Sequence, residues 1–365
     1  MVGWAAVDRI RNSNIIRVPQ GPSPGCKFEV AGGLVLKCVL QITPGLSSYE
    51  HDPEAAALSL KPLLQSAEAV IPADLRAQTP VRLGATAGLR LLPGNASEAI
   101  LDAVRKLLKT ESSLYYRPEW VSVLQGIDEG GYQWVTINYL LGTLGKSYTS
   151  TVGIVDLGGG SVQMAYAISE AAAAAAPPVA DGEDPYVSDK VALGTKYHLY
   201  AHSYLNYGLK AARAQSLKLA GNKGNPCITN GYQGIAHSTV CGMVVVGMAG
   251  KTCILHHSSM TAAETGIIEP NAPGATVRPI QYLKAAKRAC TANVDNINST
   301  FPLVGKRDVP FLCMDLVYEY MLLVDGFGVD PLQDITVLKE VKYKGSSLEA
   351  AWPLGCAVEL VSSLK

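Results

Sequence analysis

The sequence predicts an α/β fold, on three observations. Short segments rich in Val, Leu and Ile end at turns that contain glycine. Longer segments rich in Ala and Leu carry apolar residues at helical spacing, and the two kinds of segment alternate along the chain. With 365 residues, 48% hydrophobic and 17% charged, the chain is too apolar for a disordered protein and long enough for about two domains.

The predicted strands are short and apolar. They cover 80–84, 120–124, 151–155 and 162–168, and a strand or hairpin covers 28–42 before the turn Thr43-Pro44-Gly45.

The predicted helices have one apolar face each. One covers 53–71 and is divided near Pro62; another begins at Asn95 or Ser97, and others cover 132–142, 280–289 and the end of the chain. The segment 311–324 is predicted to be a buried amphipathic helix, with Asp315 and Glu319 on one face. The run 171–176 is a helix or a surface loop, and 235–260 has neither a strand nor a helix period.

The charge balance argues against a nucleic-acid partner. Thirty-one basic residues balance thirty-one acidic ones, and no local basic patch is present, so no electrostatic field favours nucleic acid or anionic lipid.

No apolar run reaches the roughly 18 residues of a membrane span. Residues 1–14 lack the apolar core of a signal peptide, so no targeting segment is expected within them.

The eight cysteines have no paired CxxC spacing, so a zinc cluster is not expected. An even count fits a secreted, oxidised protein, and so do the sequons at Asn95 and Asn298. Buried free thiols and chance sequons remain equally open interpretations.

The strongest chemical motif is GIVDLGGGSVQ, which runs from Gly153 to Gln163. A strand that ends in an acid and is followed by three glycines and a hydroxyl contains the parts of a phosphate site. Glycine amides approach an anion closely, Ser161 donates a further hydrogen bond, and Asp156 can hold a hydrated divalent cation. The structural alternative is a glycine-rich hairpin with a capping Asp. Walker, GxGxxG and GxSxG patterns are absent from this stretch.

Two further motifs contain candidate polar residues. In GIDEGGYQW, Glu129 lies among glycines at a strand-to-helix junction, where it could accept a proton from water or simply favour a helix N-terminus. In GATAGLR, Thr86 could bond a phosphate or cap the next turn.

Together these segments resemble the apyrases, the nucleoside triphosphate diphosphohydrolases, in their plant form. The resemblance is carried by ATAGLRLL, VLQGIDEGGYQWVTINYLLG, GIVDLGGGSVQMAYAIS and AAWPLGCAVEL, and also by ITPGLSSY, IQYLKAAKRAC and CMDLVYEYMLLVDGFGVDP. It implies two ribonuclease-H-like domains of the actin-like ATPase superfamily with the active site in the cleft between them. The boundaries expected are 1–125 plus 343–365 for domain I and 126–342 for domain II.

The resemblance also implies the activity and the site. Nucleoside tri- and diphosphates would be hydrolysed to the monophosphate and inorganic phosphate with Ca²⁺ or Mg²⁺. Glu129 would be the general base, and Ser161 and Gln163 would position the attacking water. Asp156 would hold the metal through water, and Thr86 would contact the terminal phosphate. The backbone amides of Gly158, Gly159 and Gly160 would donate to phosphate oxygens. Trp352 would pack in the core rather than take part in the chemistry, and Cys290 would form a disulfide with Cys313.

The sequence departs from this family in two places. The family's first phosphate loop, Asp-x-Gly-Ser/Thr-Gly-Ser/Thr-Arg, does not occur before Phe28, nor does the upstream signal or membrane anchor. The family's Trp-Asn-Gly-Gly-Gly-Gly loop is also not found between Gln233 and Ala262. A catalytically weak nucleotide-binding or interaction protein is therefore the alternative to an active enzyme, and a polyphosphate or guanosine-pentaphosphate phosphatase is a more distant one. The family resemblance implies the secretory pathway, the Golgi or the cell exterior; the sequence does not determine the oligomeric state.

Overall fold

The computed structural model describes residues 2–6, 44–180, 184–220, 227–228, 253–256, 258–343 and 346–363. The predicted strand or hairpin at 28–42 and the departures at 7–27 and 233–252 lie outside these residues.

Strands within the described residues are mostly four to eight residues long. They are β1 Val2–Ala6, β2 Val81–Ala85, β3 Val121–Val123, β4 Gly153–Leu157, β5 Ser161–Ile168, β6 Val187–Ala192, β7 Thr195–Leu205, β8 Cys253–His256, β9 Gly274–Val277, β10 Ile335–Leu338, β11 Glu340–Tyr343 and β12 Ser346–Glu349.

Helices separate most of these strands. They are α1 Pro53–Ser59, α2 Lys61–Val70, α3 Ala73–Arg76, α4 Ala87–Arg90, α5 Ala96–Glu111, α6 Gly126–Leu140, α7 Glu170–Ala174, α8 Leu209–Ala220, α9 Ser258–Glu264, α10 Pro279–Thr291, α11 Ile297–Thr300, α12 Leu312–Met321 and α13 Trp352–Ser363.

The strands predicted at 80–84, 120–124, 151–155 and 162–168 are confirmed as β2 to β5, with ends displaced by at most two residues. The predicted division of 53–71 is also confirmed. Helix α1 ends before Leu60, and Pro62 occupies the first turn of α2, where proline is tolerated because its missing N–H has no helical partner. The alanine run forms the short helix α7, which ends before the prolines. Helix α6 begins earlier than predicted, at Gly126.

Besides a two-stranded sheet of β11 and β12, two sheets organise the described residues. The larger has the strand order β6-β7-β5-β4-β8-β10-β9, and the smaller has the order β1-β2-β3. In the larger sheet β4 and β5 form an antiparallel hairpin, while β4 runs parallel to β8. The hairpin connection 158–160 therefore lies at the carboxyl end of the buried strand β4, which is where open α/β sheets bind ligands.

Helices cover both faces of the larger sheet. On one face α6 and α13 pack on a core that includes Ile154, Ala165 and Leu199. On the other, α10 and α12 pack on a core that includes Val162 and Met164. The alternation of side chains along β5 explains how one strand supplies both cores. The disulfide between Cys290 and Cys313 is confirmed and joins α10 to α12.

Helix α13 also contacts the smaller sheet, because glycines permit close approach. On the smaller sheet, a Cβ on Gly84 of β2 would lie 2.7 Å from Trp352 Cη2 of α13. The contact of α13 with α6 also needs a glycine, because a Cβ on Gly355 would lie 1.9 Å from the carbonyl oxygen of Tyr132. Trp352 is buried with Leu124, Tyr132 and Cys356, which confirms the packing role expected for it.

Helix α12 buries both acids that the sequence placed on one face. Arg213 Nε and Nη2 donate to the two carboxylate oxygens of Asp315, each at 2.6 Å. Glu319 is 1% exposed. Among the described residues, none of the helices is both long and apolar enough to cross a membrane.

Candidate functional site

The glycine hairpin is held from one side by the start of α8. The backbone N–H groups of Leu209, Lys210 and Ala211 donate to the carbonyl oxygens of Gly158 and Gly159 at 2.9 to 3.0 Å. Within the described chain, the N–H groups of Gly159 and Gly160 have no hydrogen-bond acceptor. The carbonyl oxygens of Gly158 and Gly159 therefore accept hydrogen bonds from α8, and the N–H groups of Gly159 and Gly160 remain able to donate to an anion.

Glycine is required at one place around this hairpin and fits tightly at a second. A Cβ on Gly208 would lie 2.4 Å from backbone atoms of Gly159, Gly160 and Ser161, so α8 could not approach with any other residue there. A Cβ on Gly160 would lie 3.0 Å from Ala87 Cβ. Helix α4 thus packs directly on the hairpin from the other side.

Glu129 lies in the first turn of α6 and is 7% exposed. Arg90 Nη2 donates to its Oε2 at 2.5 Å. Burial raises the pKa of Glu129 to about 7, with the nearby Asp156 charge adding to the rise and Arg90 opposing it. A carboxylate whose pKa is near neutrality can accept and release a proton at physiological pH.

Ser161 and Gln163 lie together at the start of β5. Gln163 Nε2 donates to Ser161 Oγ at 2.6 Å and to Ser203 Oγ at 2.9 Å. Gln163 is 1% exposed, and its Oε1 has no hydrogen-bond partner among the described residues. A buried carbonyl oxygen without a partner is costly and points to a missing donor such as a bound water.

Thr86 precedes α4 and is buried. Its carbonyl oxygen accepts the N–H groups of Leu89 and Arg90, so it begins that short helix, and its side chain forms no cap hydrogen bond. Because Ala87 touches Gly160, the residue before it lies beside the hairpin.

Asp156 is the last residue but one of the buried strand β4 and pairs in register with Gln163 on β5. It is 6% exposed and lies close enough to Glu129 to raise that group's pKa. No cluster of three or more His, Cys, Asp or Glu side chains able to hold a metal occurs in the part of the chain that is described. A single buried carboxylate, that of Asp156, beside the backbone amides of the hairpin fits Mg²⁺ or Ca²⁺ coordinated largely by water and substrate oxygens rather than by several protein ligands.

The structure thus brings Glu129, Asp156, Ser161, Gln163 and the hairpin glycines to one region, with Thr86 at its edge. Sequence reasoning missed three members: Arg90, Ser203 and Gly208. Arg90 is in the quoted ATAGLRLL motif, four residues after Thr86, and its position there was the available signal. Ser203 and Gly208 had none, because they reach the site only through sheet pairing and helix packing.

Amide donors for an anion beside a buried carboxylate whose pKa is near neutrality are the parts of a site that transfers a phosphoryl group to water. The chain belongs to the GDA1/CD39 nucleoside phosphatase family, whose sequence profile matches residues 30–252 and 257–365.

Several of the curated relatives are plant proteins. The chain is 49% identical over 374 residues to a probable apyrase 1 of Oryza sativa subsp. japonica, covering 91% of this chain and 76% of that protein. It is 46% identical to a nucleoside-triphosphatase of Pisum sativum, covering 89% of this chain and 80% of that protein.

Solved structures resemble it in fold. Nucleoside triphosphate hydrolases from Neospora caninum match with a TM-score of 0.57 and 14% identity, over 87% of this chain and 80% of that one. A Ppx/GppA family member from Aquifex aeolicus matches with a TM-score of 0.51 and 14% identity, over 93% of both chains. At this identity they establish the fold alone, and they agree with the predicted two-domain α/β fold.

Proposed function

We propose that this protein hydrolyses nucleoside tri- and diphosphates to the monophosphate and inorganic phosphate by direct attack of water. The observation that carries the proposal is the position of Glu129, a buried carboxylate with a pKa of about 7 beside the glycine hairpin. The family and its apyrase relatives supply the substrate class.

Glu129 acts as the general base. The water oxygen bonds to the terminal phosphorus, the bond to the bridging oxygen breaks, and Glu129 takes the proton that the water loses. Gln163 Oε1 and Ser161 Oγ orient that water, since both belong to one buried hydrogen-bonded group. Positioning and charge neutralisation supply most of the catalysis in phosphoryl transfer, so no protein nucleophile is needed.

The hairpin binds the phosphate chain. The amides of Gly159 and Gly160 donate to phosphate oxygens, and Gly158 completes the turn by donating to the Ser161 carbonyl. Thr86 contacts the terminal phosphate from the α4 side. Asp156 would hold Ca²⁺ or Mg²⁺ through water, and the charge that such a cation supplies would offset that of the phosphates.

Phosphate release from ATP and ADP tests this function. The protein should release phosphate with Mg²⁺ or Ca²⁺, and Glu129→Gln should reduce kcat by about 10²- to 10⁴-fold, the usual contribution of a general base, with little change in nucleotide affinity. The matched control is Glu119→Gln, an exposed glutamate outside the site. Binding of nucleotide without turnover in the unmodified protein would instead support the weak-binder alternative.

The environment proposed for the protein is the secretory pathway. The disulfide between Cys290 and Cys313 and the exposed sequon residues Asn95 and Asn298 support it. A glycosidase-sensitive mass shift that is lost in the double Asn→Gln variant would test glycan attachment. The domain boundaries, 1–125 with 343–365 and 126–342, stay a proposal; a separate core of buried residues within 46–121 supports the assignment of that range to domain I.

A further inference from the structure

Ser203 joins the two halves of the site. It lies on β7, where it pairs in register with Gln163 on β5. Its Oγ lies 2.9 Å from Gln163 Nε2 and 3.4 Å from Arg90 Nη1. Arg90 in turn donates to Glu129, and Gln163 donates to Ser161. One serine hydroxyl therefore connects the groups that orient the water with the group that takes its proton.

The backbone around Ser203 is built for this contact. A Cβ on Gly126 would lie 2.1 Å from Ser203 Cβ and 2.3 Å from its Oγ, so the first residue of α6 must be glycine for the helix to reach the strand. Glu129 lies three residues further along α6. The position of Ser203 thus also fixes how closely the base approaches the sheet.

The hydroxyl is suited to joining these partners. A guanidinium can only donate, so Ser203 Oγ accepts from Arg90 and retains a second lone pair for the Gln163 amide. With Nε2 held by Ser161 and Ser203, the Gln163 Oε1 is left buried and without a partner among the described residues. That oxygen is then available to accept a hydrogen from the attacking water.

We infer that Ser203 is a positioning residue for hydrolysis, which holds Arg90 and Gln163 so that Glu129 and Gln163 Oε1 face the same water. The inference rests on the proposed function. Ser203 itself touches neither nucleotide nor water in this account; it acts through its two neighbours. Its loss should therefore affect the chemical step and leave substrate binding unchanged.

The test compares Ser203→Ala with Ser188→Ala. Ser188 is on the adjacent strand β6, and its buried Oγ has no hydrogen-bond partner among the described residues. Ser203→Ala should lower kcat for ATP about tenfold, the loss expected for one hydrogen bond to a charged group, with KM changed less than about twofold. Ser188→Ala should keep both constants. Ser203→Thr, which retains the hydroxyl, should recover most of the kcat lost in Ser203→Ala.

Denaturant midpoints separate a positioning role from a structural one. A Ser203→Ala variant whose denaturant midpoint is unchanged and whose kcat is reduced would support the inference. Unchanged kcat, or equal losses in Ser203→Ala and Ser188→Ala, would overturn it while leaving the proposed function intact. Absence of phosphate release from the unmodified protein would overturn the proposed function itself.

Discussion

Arg90 and Glu129 form a largely buried ion pair across the site, with Arg90 Nη2 2.5 Å from Glu129 Oε2 and the two residues 39 positions apart in the chain. The pair balances two opposing effects on one carboxyl. Burial raises the pKa of Glu129 and Arg90 lowers it, and the result is a value of about 7. The same residue is therefore ionised often enough to act as a base and basic enough to take a proton.

Replacing Arg90 should shift the pH profile of activity. Glu129 must be ionised to accept a proton, so kcat/KM should rise with pH through about 7. Arg90→Gln removes the charge that lowers the pKa of Glu129, so the pKa rises and the acid limb moves to higher pH. The measurement is kcat/KM for ATP against pH. An acid limb that stays at its original midpoint in Arg90→Gln would contradict the assignment of Glu129 as the base. The control is Arg278→Gln, which breaks an exposed ion pair with Asp334 and should leave the pH profile unchanged.

The glycines of the hairpin should differ in their tolerance of a methyl group. A Cβ on Gly160 would lie 3.0 Å from Ala87 Cβ and 3.3 Å from Leu91 Cδ1, whereas one on Gly159 meets only the flexible Lys210 side chain at 3.6 Å. Gly160→Ala should therefore push α4 from the hairpin and reduce kcat/KM about tenfold or more, since small displacements of positioned groups cost much of their effect. Gly159→Ala is the matched control. Equal kinetics for the two variants would argue against close packing of α4 on the hairpin.

Metal dependence should be traceable to Asp156. Chelation should abolish phosphate release, and added Mg²⁺ or Ca²⁺ should restore it. Asp156→Asn should raise the metal concentration for half-maximal activity about 10- to 100-fold, as expected when a ligand that acts through water is weakened. Asp189→Asn, at an exposed carboxylate paired with His198 and Lys196, should leave the metal titration unchanged. Identical titrations for the two variants would remove Asp156 from the metal site.

Glu319 should make the folded state less stable as pH rises. Burial raises its pKa well above the ordinary value, with Asp315 and Glu264 adding to the rise and Arg213 and the Thr261 hydroxyl opposing it. The folded state then keeps a proton that the unfolded state releases, so the free energy of unfolding falls as pH rises above about 4.5, by about 1.4 kcal/mol for each unit between the two pKa values.

Glu319→Gln isolates that contribution. The amide does not titrate, so the Tm of the variant minus that of the unmodified protein should increase with pH. Asp315, whose pKa burial raises to about 6, titrates in both proteins, and its negative charge adds to the rise in the pKa of Glu319. Thermal unfolding across the acid to neutral range provides the measurement, and a difference that does not vary with pH would show that Glu319 is ionised in the folded state.

Local patterns predicted about half of the described elements. Strands β2 to β5 and helices α5, α10 and α12 follow from alternation or helical spacing, which are properties of neighbouring residues. The glycine hairpin was predicted for the same reason, because acid, glycines and hydroxyl are consecutive. Strand β8 was missed: four residues in the middle of the larger sheet are too few to show a period.

Partners of the site residues could not be predicted. Glu129 could have been a helix-capping acid until its burial and its contact with Arg90 were known, because both depend on how α4 and α6 meet. Likewise, the orientation of the Gln163 side-chain amide depends on its hydrogen bond to Ser203, which strand pairing brings next to it.

The sequence by itself determined the α/β class, the family and the residues of the glycine hairpin, since each is written in consecutive positions. Only the tertiary structure decided the protonation behaviour of Glu129 and the connection from Ser161 through Ser203 to Arg90. Burial and hydrogen bonding between residues far apart in the chain control both, and neither exists until the sheets and helices have packed.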